Sequence, residues 1–432
     1  MSVSRLLMLV FIAWRNLWRN RIRSALTISA LTIGLGLMIV YAALIEGMTR
    51  QMVDFATKIS TGHIQIHRTA YIDDQDLYAL IPWKLMSSLE AVAGVHVAPR
   101  LYAAGLAAAG DESTGAMIKA VDPERERAVT SLLKHVSAGD MRLDPIQSDV
   151  RDYGLPQHNI VIGKQLARNL NIEVGAEVVL ITQAADGGIG NAIYRVAGVL
   201  KPVNAAFDRM GILMSIKAYQ ELMYIESGIH ELAIATDNID LLPGYQADIE
   251  KVVNDFDIDA TGLDYGGRVQ VRTWRQLVPV VSDMLEMNES IIYFVGGFIV
   301  GLAALGMMNT VLMSVHERQH EFGILLSIGM NRYRLLFMVL LESLFLSLLS
   351  ALLGAGMGIS ISHYFEVHGI DLSTWMPDGM DWGGIIFEPI WKSYLTSESV
   401  IVGIVIMVVI AMVASLIPSW RTVRLKPAEV IR

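Results

Sequence analysis

His316 and His320 flank Glu317 in the stretch VHERQHE. H-E-x-x-H is the spacing that sets two imidazoles on one helical face as zinc ligands, with the glutamate between them as general base. A working site of that kind also needs a third ligand and an open coordination position. Glu342 is the nearby carboxylate, and it falls about two turns inside an apolar run. Intramembrane metalloproteases bury their motif within an apolar helix, whereas Arg318, Gln319 and Glu321 crowd this one. A membrane metalloprotease therefore stands as the alternative to a chance match, and no metal site is assigned to the chain.

Other candidate chemistry is thin. Gly163-Lys164 lacks the frame of a phosphate-binding loop, because His158 and Gln165 stand where glycine and Ser or Thr are needed. No ATP site is read in this chain. The absence of cysteine removes disulfides, thiol nucleophiles and cysteine-ligated metals together. A net charge of −9 argues against a nucleic-acid partner.

The motif is positioned by membrane segments. Hydrophobic residues make up 53% of the 432, above the usual globular share of about 45–50%. Leu26–Ile45, Ser290–Val315, Leu335 to about Ser362 (interrupted by Glu342) and Val400–Ile417 are each long enough to cross a bilayer core. The first exceeds the apolar core of a cleaved signal peptide and reads as a retained anchor. We place transmembrane helices at 24–48, 290–315, 335–362 and 400–418. Met1–Arg23, His316–Arg334 and Trp420–Arg432 hold twelve basic residues against three acidic ones, while His363–Ser399 holds one lysine against six acids. The Lys/Arg bias puts both termini and the 316–334 segment in the cytoplasm and 49–289 and 363–399 outside.

The outer segment is of ordinary domain size. Ile45, Met48, Met52, Phe55 and Ile59 step by three and four, as do Leu277, Val281 and Met284, so helical stalks are expected at both ends. Gly62–His67, Val95–Ala109, His230–Thr236 and Val269–Arg272 read as strands, and Trp83–Ala93 and Leu242–Asp255 as helices. Between them Asn159–Gly163, Glu177–Thr182 and Ile193–Leu200 read as strands, with a hairpin-type turn at Asp186–Gly190. The expected fold is four transmembrane α-helices plus a large extracytoplasmic α+β domain. That domain has two halves (about 60–120 and 226–274) around a mostly β insertion (about 121–225).

Read across a wider window, NTVLMSVHERQHEFGILLSIGMNRYRLLFMVLLESLFLSLLSALLGAGMG resembles the signature of MacB/FtsX-type (type VII) ABC transporter permeases, which include the lipoprotein-releasing Lol permeases. In that family an asparagine near the end of the second span leads into a cytoplasmic coupling helix with an E-R-x-x-E-[IF]-G pattern. The matching positions are Asn309, Glu317, Arg318, Glu321, Phe322, Gly323, Ile324, Ile328 and Gly329. The third span's buried glutamate and glycine-rich run match Glu342, Gly354, Gly356 and Gly358. WRNLWRNRIRSALTISALTIGLGL is similar to the family's amphipathic N-terminal helix and first span. IVIGKQLARNLNIEVGAEVVL is similar to its outer insertion, and IPSWRTVRLKPAEVIR to its closing stretch. The two histidines fall at positions the family leaves variable, while the glutamate between them belongs to its pattern.

The resemblance implies porter halves around a Sabre-like insertion, location in a bacterial inner membrane, and a second permease copy or paralogue. It also implies a cytoplasmic ABC ATPase dimer, which binds ATP and Mg and presses on the coupling helix, and no cofactor in this chain. The expected output is extraction of a lipoprotein or similar amphiphile for a periplasmic chaperone or adaptor. Drug or peptide efflux and force transmission to cell-wall hydrolases are the alternatives. Met38, Ala42, Ile45 and Met48 would line a cavity suited to an acyl chain, or equally pack a dimer. Glu342 is expected to pair with Ser343, an arginine of the N-terminal helix or an interfacial water, since a lone carboxylate at that depth is costly.

Overall fold

The computed structural model describes residues 3–146, 157–202, 204–225, 227–257, 266–375, 380–382, 385–387 and 389–423. Most of the expected cytoplasmic tail, 424–432, lies outside them. Along the chain run α1 (Val3–Leu17), α2 (Arg21–Phe55), a π turn (Ala56–Thr61), β1 (Ile64–Arg68), β2 (Val95–Ala109), β3 (Glu112–Val121) and α3 (Pro123–Val129). Next come β4 (Val136–Gly139), β5 (His158–Ile162), β6 (Glu177–Gln183), β7 (Ile189–Leu200), β8 (Gly211–Ser215), β9 (Glu231–Thr236), α4 (Leu242–Asp255) and β10 (Val269–Thr273). Then follow α5 (Pro279–Glu317), α6 (Gln319–Ser327), α7 (Arg332–His368) and α8 (Ser397–Val423). Two compact units result: one of residues 1–50, 285–375 and 390–432, the other of 51–284 and 376–389.

In the first unit α2, α5, α7 and α8 are long and apolar enough to cross a membrane. Their shared core joins Leu31, Leu35 and Ile39 to Met307, Val311, Leu346, Ala355, Met407 and Ala411. Small residues let α2 and α7 approach closely, the usual means of helix association where lipid removes the hydrophobic drive. A Cβ added at Gly354 would lie 2.9 Å from the Thr32 carbonyl oxygen, and one at Gly358 would lie 2.8 Å from Ile39 Cβ. Gly356 faces away from that seam, and a Cβ there meets nothing within 4 Å. Gly354→Ala and Gly358→Ala should therefore each cost about 1–3 kcal/mol through overpacking, while Gly356→Ala should be neutral. Thermal midpoints of the three variants in detergent check this, and equal midpoints would show that the seam is not tight.

The second unit carries a ten-stranded sheet among the described residues. Strand β2 is long enough to serve two neighbours on one edge. Its first part, Val95–Arg100, pairs with β9, and its later part, Gly105–Ala108, pairs with β6. Its other edge pairs with β3 from Arg100 to Ala109. Pairing then runs β3–β8–β5–β7–β6 and returns to β2, closing a six-stranded barrel. Leu101, Ala103, Ala107, Ile118, Ile160, Val178, Leu180, Tyr194, Val196 and Met214 fill its interior, as expected for a small barrel packed by its own side chains. Outside the barrel, β9, β1 and β10 extend the sheet from the first part of β2. The two expected halves and the insertion thus share one continuous sheet.

Candidate functional site

α5 stops at Glu317 because Arg318 leaves helical geometry, with φ −102° and ψ 12°. α6 ends at Ser327, and Gly329 takes φ +99°, a left-handed turn open to glycine. Asn331 then caps α7 by accepting a hydrogen bond from the Tyr333 amide at 2.9 Å. The break at Arg318 leaves His316 in the last turn of α5 and His320 in α6, so the two imidazoles do not share one uninterrupted helix. The Glu317 carboxylate is held by Arg23. Among the described residues no three His, Asp or Glu side chains converge as a metal set.

The charges that crowd the motif form a network instead. Arg19 donates to Glu321 through both terminal nitrogens, at 3.0 and 2.8 Å. Arg318 Nε reaches the same carboxylate at 3.2 Å, and Arg318 Nη1 donates to Glu342 Oε2 at 3.0 Å. Three arginines and three glutamates thereby tie α6 to the α1–α2 corner and to α7. The exposed pairs contribute little, because solvent and salt screen them. The Arg318–Glu342 pair differs, since both side chains are largely removed from solvent and each depends on the other. Glu342 therefore pairs directly with Arg318 of the coupling pattern, rather than with Ser343 or an arginine of the N-terminal helix. A pocket of about 270 Å³ lies beside the network, walled by Asn16, Arg19, Arg23, Glu317, Arg318, Glu342 and their neighbours.

The other expected site residues distribute unevenly. Phe322 is buried among Leu9, Leu17, Leu335 and Met338, with the Arg318 guanidinium 5.1 Å from its ring centroid. Gly323 is buried, whereas Ile324 and Ile328 are exposed one turn apart. Arg318, expected to face a partner, is 9% exposed and turns inward, because its guanidinium is the counter-charge for Glu342. Asn309 is exposed on α5 and makes no part of the network. Met38, Ala42, Ile45 and Met48 are half-buried along α2, and Met38 Cε comes within 3.8 Å of where a Cβ on Gly296 of α5 would stand. None of the four lines the pocket. Sequence reasoning missed Arg19 and Arg23 as site residues: Arg19 lies in the turn after α1 and Arg23 in the first turn of α2, so no single helical period joins them.

A second charged cluster lies in the outer unit. Arg100, fully buried on β2, donates to Glu126 of α3 at 3.0 and 2.6 Å and to Glu231 of β9 at 2.6 Å. Tyr102 Oη and Thr130 Oγ1 complete the two carboxylates at 2.9 and 2.6 Å. Burial alone would raise the Glu126 carboxyl, but the Arg100 guanidinium prevails and holds it at about 2. Burial also pushes His230 down to about 4 and Lys119 down to about 8. This cluster joins β2, β3, β9 and α3 and touches no cavity described above, so its reading is structural.

Comparison with known proteins fits both units. Residues 24–254 match the MacB-like periplasmic core domain and residues 293–427 the FtsX-like permease C-terminal family. The chain belongs to the MacB/FtsX-type ABC transporter permeases. It is 21% identical to the lipoprotein-releasing system transmembrane protein LolC of Neisseria meningitidis, over 96% of this chain and 95% of that one. Identity to LolC of Xylella fastidiosa (strain Temecula1) is 19%, over 75% and 74% of the two chains. The macrolide export ATP-binding/permease protein MacB of Agrobacterium fabrum is 22% identical over all of this chain and 61% of its own. Among solved structures, the extracellular domain of YknZ from Gram-positive bacteria covers 49% of this chain and 99% of its own, at 16% identity and TM-score 0.32.

Proposed function

We propose that this chain is the non-hydrolytic permease subunit of an ATP-driven complex that carries movement across the membrane to extract lipoproteins or similar amphiphiles from the outer leaflet of a bacterial inner membrane. The carrying observation is the ion-pair network that binds α6 to the α1–α2 corner and to α7. A cytoplasmic ABC ATPase dimer docks on the exposed side of α6, where Ile324 and Ile328 offer an apolar contact. Pressure there moves Arg318 against Glu342, and α7 moves with it. Both termini are cytoplasmic in this reading, in line with the Lys/Arg bias. A second permease copy or paralogue completes the membrane part, and a periplasmic chaperone or adaptor takes the cargo. The near full-length match to LolC supports the lipoprotein reading, and the match to MacB supports drug or peptide efflux as the second.

Purified alone, the chain is expected to hydrolyse no ATP; with its ATPase it changes the turnover rate. Robust hydrolysis by the isolated chain would overturn the subunit reading. Mass spectrometry of co-purified molecules separates the outputs: an acylated passenger supports extraction, a small amphiphilic drug supports efflux, and a bound hydrolase alone supports force transmission. The histidines give an independent check on protease chemistry. His316→Gln/His320→Gln should keep coupled turnover within about twofold, the scale of a near-neutral surface change. Glu317→Lys/Glu321→Lys should lose coupling, because each lysine would face an arginine. Stoichiometric zinc whose loss in the histidine variant abolishes activity would restore the protease reading.

A further inference from the structure

The pocket between the α1–α2 corner, α5 and α7 has more hydrogen-bonding capacity than its own residues use. Its walls carry the guanidinium groups of Arg19, Arg23 and Arg318 against the carboxylates of Glu317 and Glu342. The third carboxylate, Glu321, satisfies Arg19 and Arg318 without lining the pocket. Asn16 lines it as well, and its side-chain Nδ2 is buried with no hydrogen-bond partner, a condition rare enough to need an acceptor. Arg23 meets Glu317 through Nη2, leaving further N–H donors on its fork. Arg19 is 54% exposed at its side chain, so it can turn inward at little cost. An oxyanion with several acceptor atoms answers all three conditions, and guanidinium forks match phosphate oxygens closely.

The surroundings identify the source of that phosphate. Leu7, Phe11, Trp14 and Trp18, in α1 and just after it, are exposed, while Leu9, Ala13 and Leu17 are buried. A helix that leaves large apolar and indole groups uncovered beside arginines lies at the boundary of headgroups and acyl chains. Asn16 and Arg19 stand within this stretch, which sets the pocket at headgroup depth, where basic pockets between transmembrane helices take up anionic headgroups. We propose that the pocket binds the phosphodiester headgroup of a phospholipid, held by Asn16, Arg19 and Arg23. The bound lipid then contacts Glu317 and Arg318, the residues read above as coupling. Only this consequence rests on that reading; the binding itself does not.

Native mass spectrometry of the delipidated full-length chain tests the proposal, with phosphatidylglycerol, diacylglycerol and inorganic phosphate as separate probes. One phosphatidylglycerol per chain should be retained beyond diacylglycerol. Asn16→Asp, which keeps shape but sets a negative charge beside the phosphate, should weaken retention about tenfold or more, the scale of losing a charge-assisted hydrogen bond. Ser314→Phe, which fills the pocket from a position that makes no ion pair itself, should do the same, while the exposed control Leu241→Asn should leave it unchanged. Phosphatidylglycerol retained no better than diacylglycerol, or retained equally by Asn16→Asp and Ser314→Phe, would overturn the site. Binding of inorganic phosphate without lipid retention would overturn the lipid as occupant. ATPase coupling measured on the same variants keeps a failure of the coupling reading distinct from a failure of lipid binding.

Discussion

Arg318→Met is expected to abolish partner-stimulated ATP turnover and to destabilise the membrane unit by about 3–5 kcal/mol, the cost of orphaning a buried charge. The loss is one-sided. Glu321 keeps Arg19 when Arg318 is removed, but Glu342 keeps no direct ion-pair partner. Glu342→Leu should therefore do less harm, because Arg318 retains Glu321 at 3.2 Å. Glu342→Gln should be milder still, since the amide oxygen can accept from Arg318. The double variant Arg318→Met/Glu342→Leu should recover most of the stability, as buried ion pairs replaced by apolar groups commonly do, yet leave turnover uncoupled. Thermal midpoints at matched membrane levels, read beside stimulated hydrolysis, separate the two effects. Parent-like behaviour of Arg318→Met in both would show that the pair is merely tolerated.

Arg100→Met should have the second large effect, a loss of about 3–5 kcal/mol in the outer unit, because Glu126 and Glu231 both lose their counter-charge. The pH dependence of its two carboxylates should be opposite in sign to that of the parent's. In the parent, Glu126 is held at about 2, below its unfolded value of 4.5, so its contribution is full above 4.5 and fades as pH falls toward 2. His230, pushed by burial to about 4, adds stability that is full above 6.5 and lost as pH falls toward 4. Without Arg100, burial raises both carboxyls above their unfolded values. At these two carboxyls the folded variant then takes up protons first, so relative to the parent it gains stability as pH falls toward 4.5, while the His230 contribution is lost in both. Unfolding of the full-length chain followed by outer-domain tryptophan fluorescence from pH 8 to 4.5 reads the sign directly. A variant that tracks the parent across that range would show that Arg100 does not hold the carboxylates ionised.

Much of this was legible because the period of the sequence matched its environment. Val95–Ala109 and Leu242–Asp255 read as a strand and a helix, and both have those bounds. The turn chemistry of Asp186–Gly190 pointed to the β6–β7 hairpin. The barrel was not legible, because it depends on one strand having different partners along a single edge, and nothing in residues 95–109 marks the change. Strand β3 was within reach, since Gly110-Asp111 separates two extended runs and Gly110 has φ +57°. At the site, the family pattern singled out Glu317, Arg318 and Glu321 but treated them as an outward surface. The inward turn of Arg318 follows from Glu342, twenty-four positions later, and a separation of that size has no local signature. Gly356 shared a glycine run with Gly354 and Gly358, yet two residues along a helix change the face.

The placement of β1 sets the order of events when the chain is made. β1 is the first strand to leave the ribosome, but its two neighbours are β9 and β10, the last of its sheet to follow. At about 5–20 residues per second, the gap from Arg68 to Glu231 amounts to roughly 8–33 seconds, during which β1 has neither ladder partner. An open strand is a template for wrong pairing, and the polar Gln65, His67 and Arg68 beside Ile64 and Ile66 reduce its apolar character during that wait. The barrel strands β2, β3 and β5 to β8 have all their barrel partners before β9 arrives, so the barrel can form early and leave the first part of β2 as an edge for β9 to join. The sheet is completed only when β10 emerges, a few residues ahead of α5, so that the last strand of the sheet is made just before insertion of the second span begins.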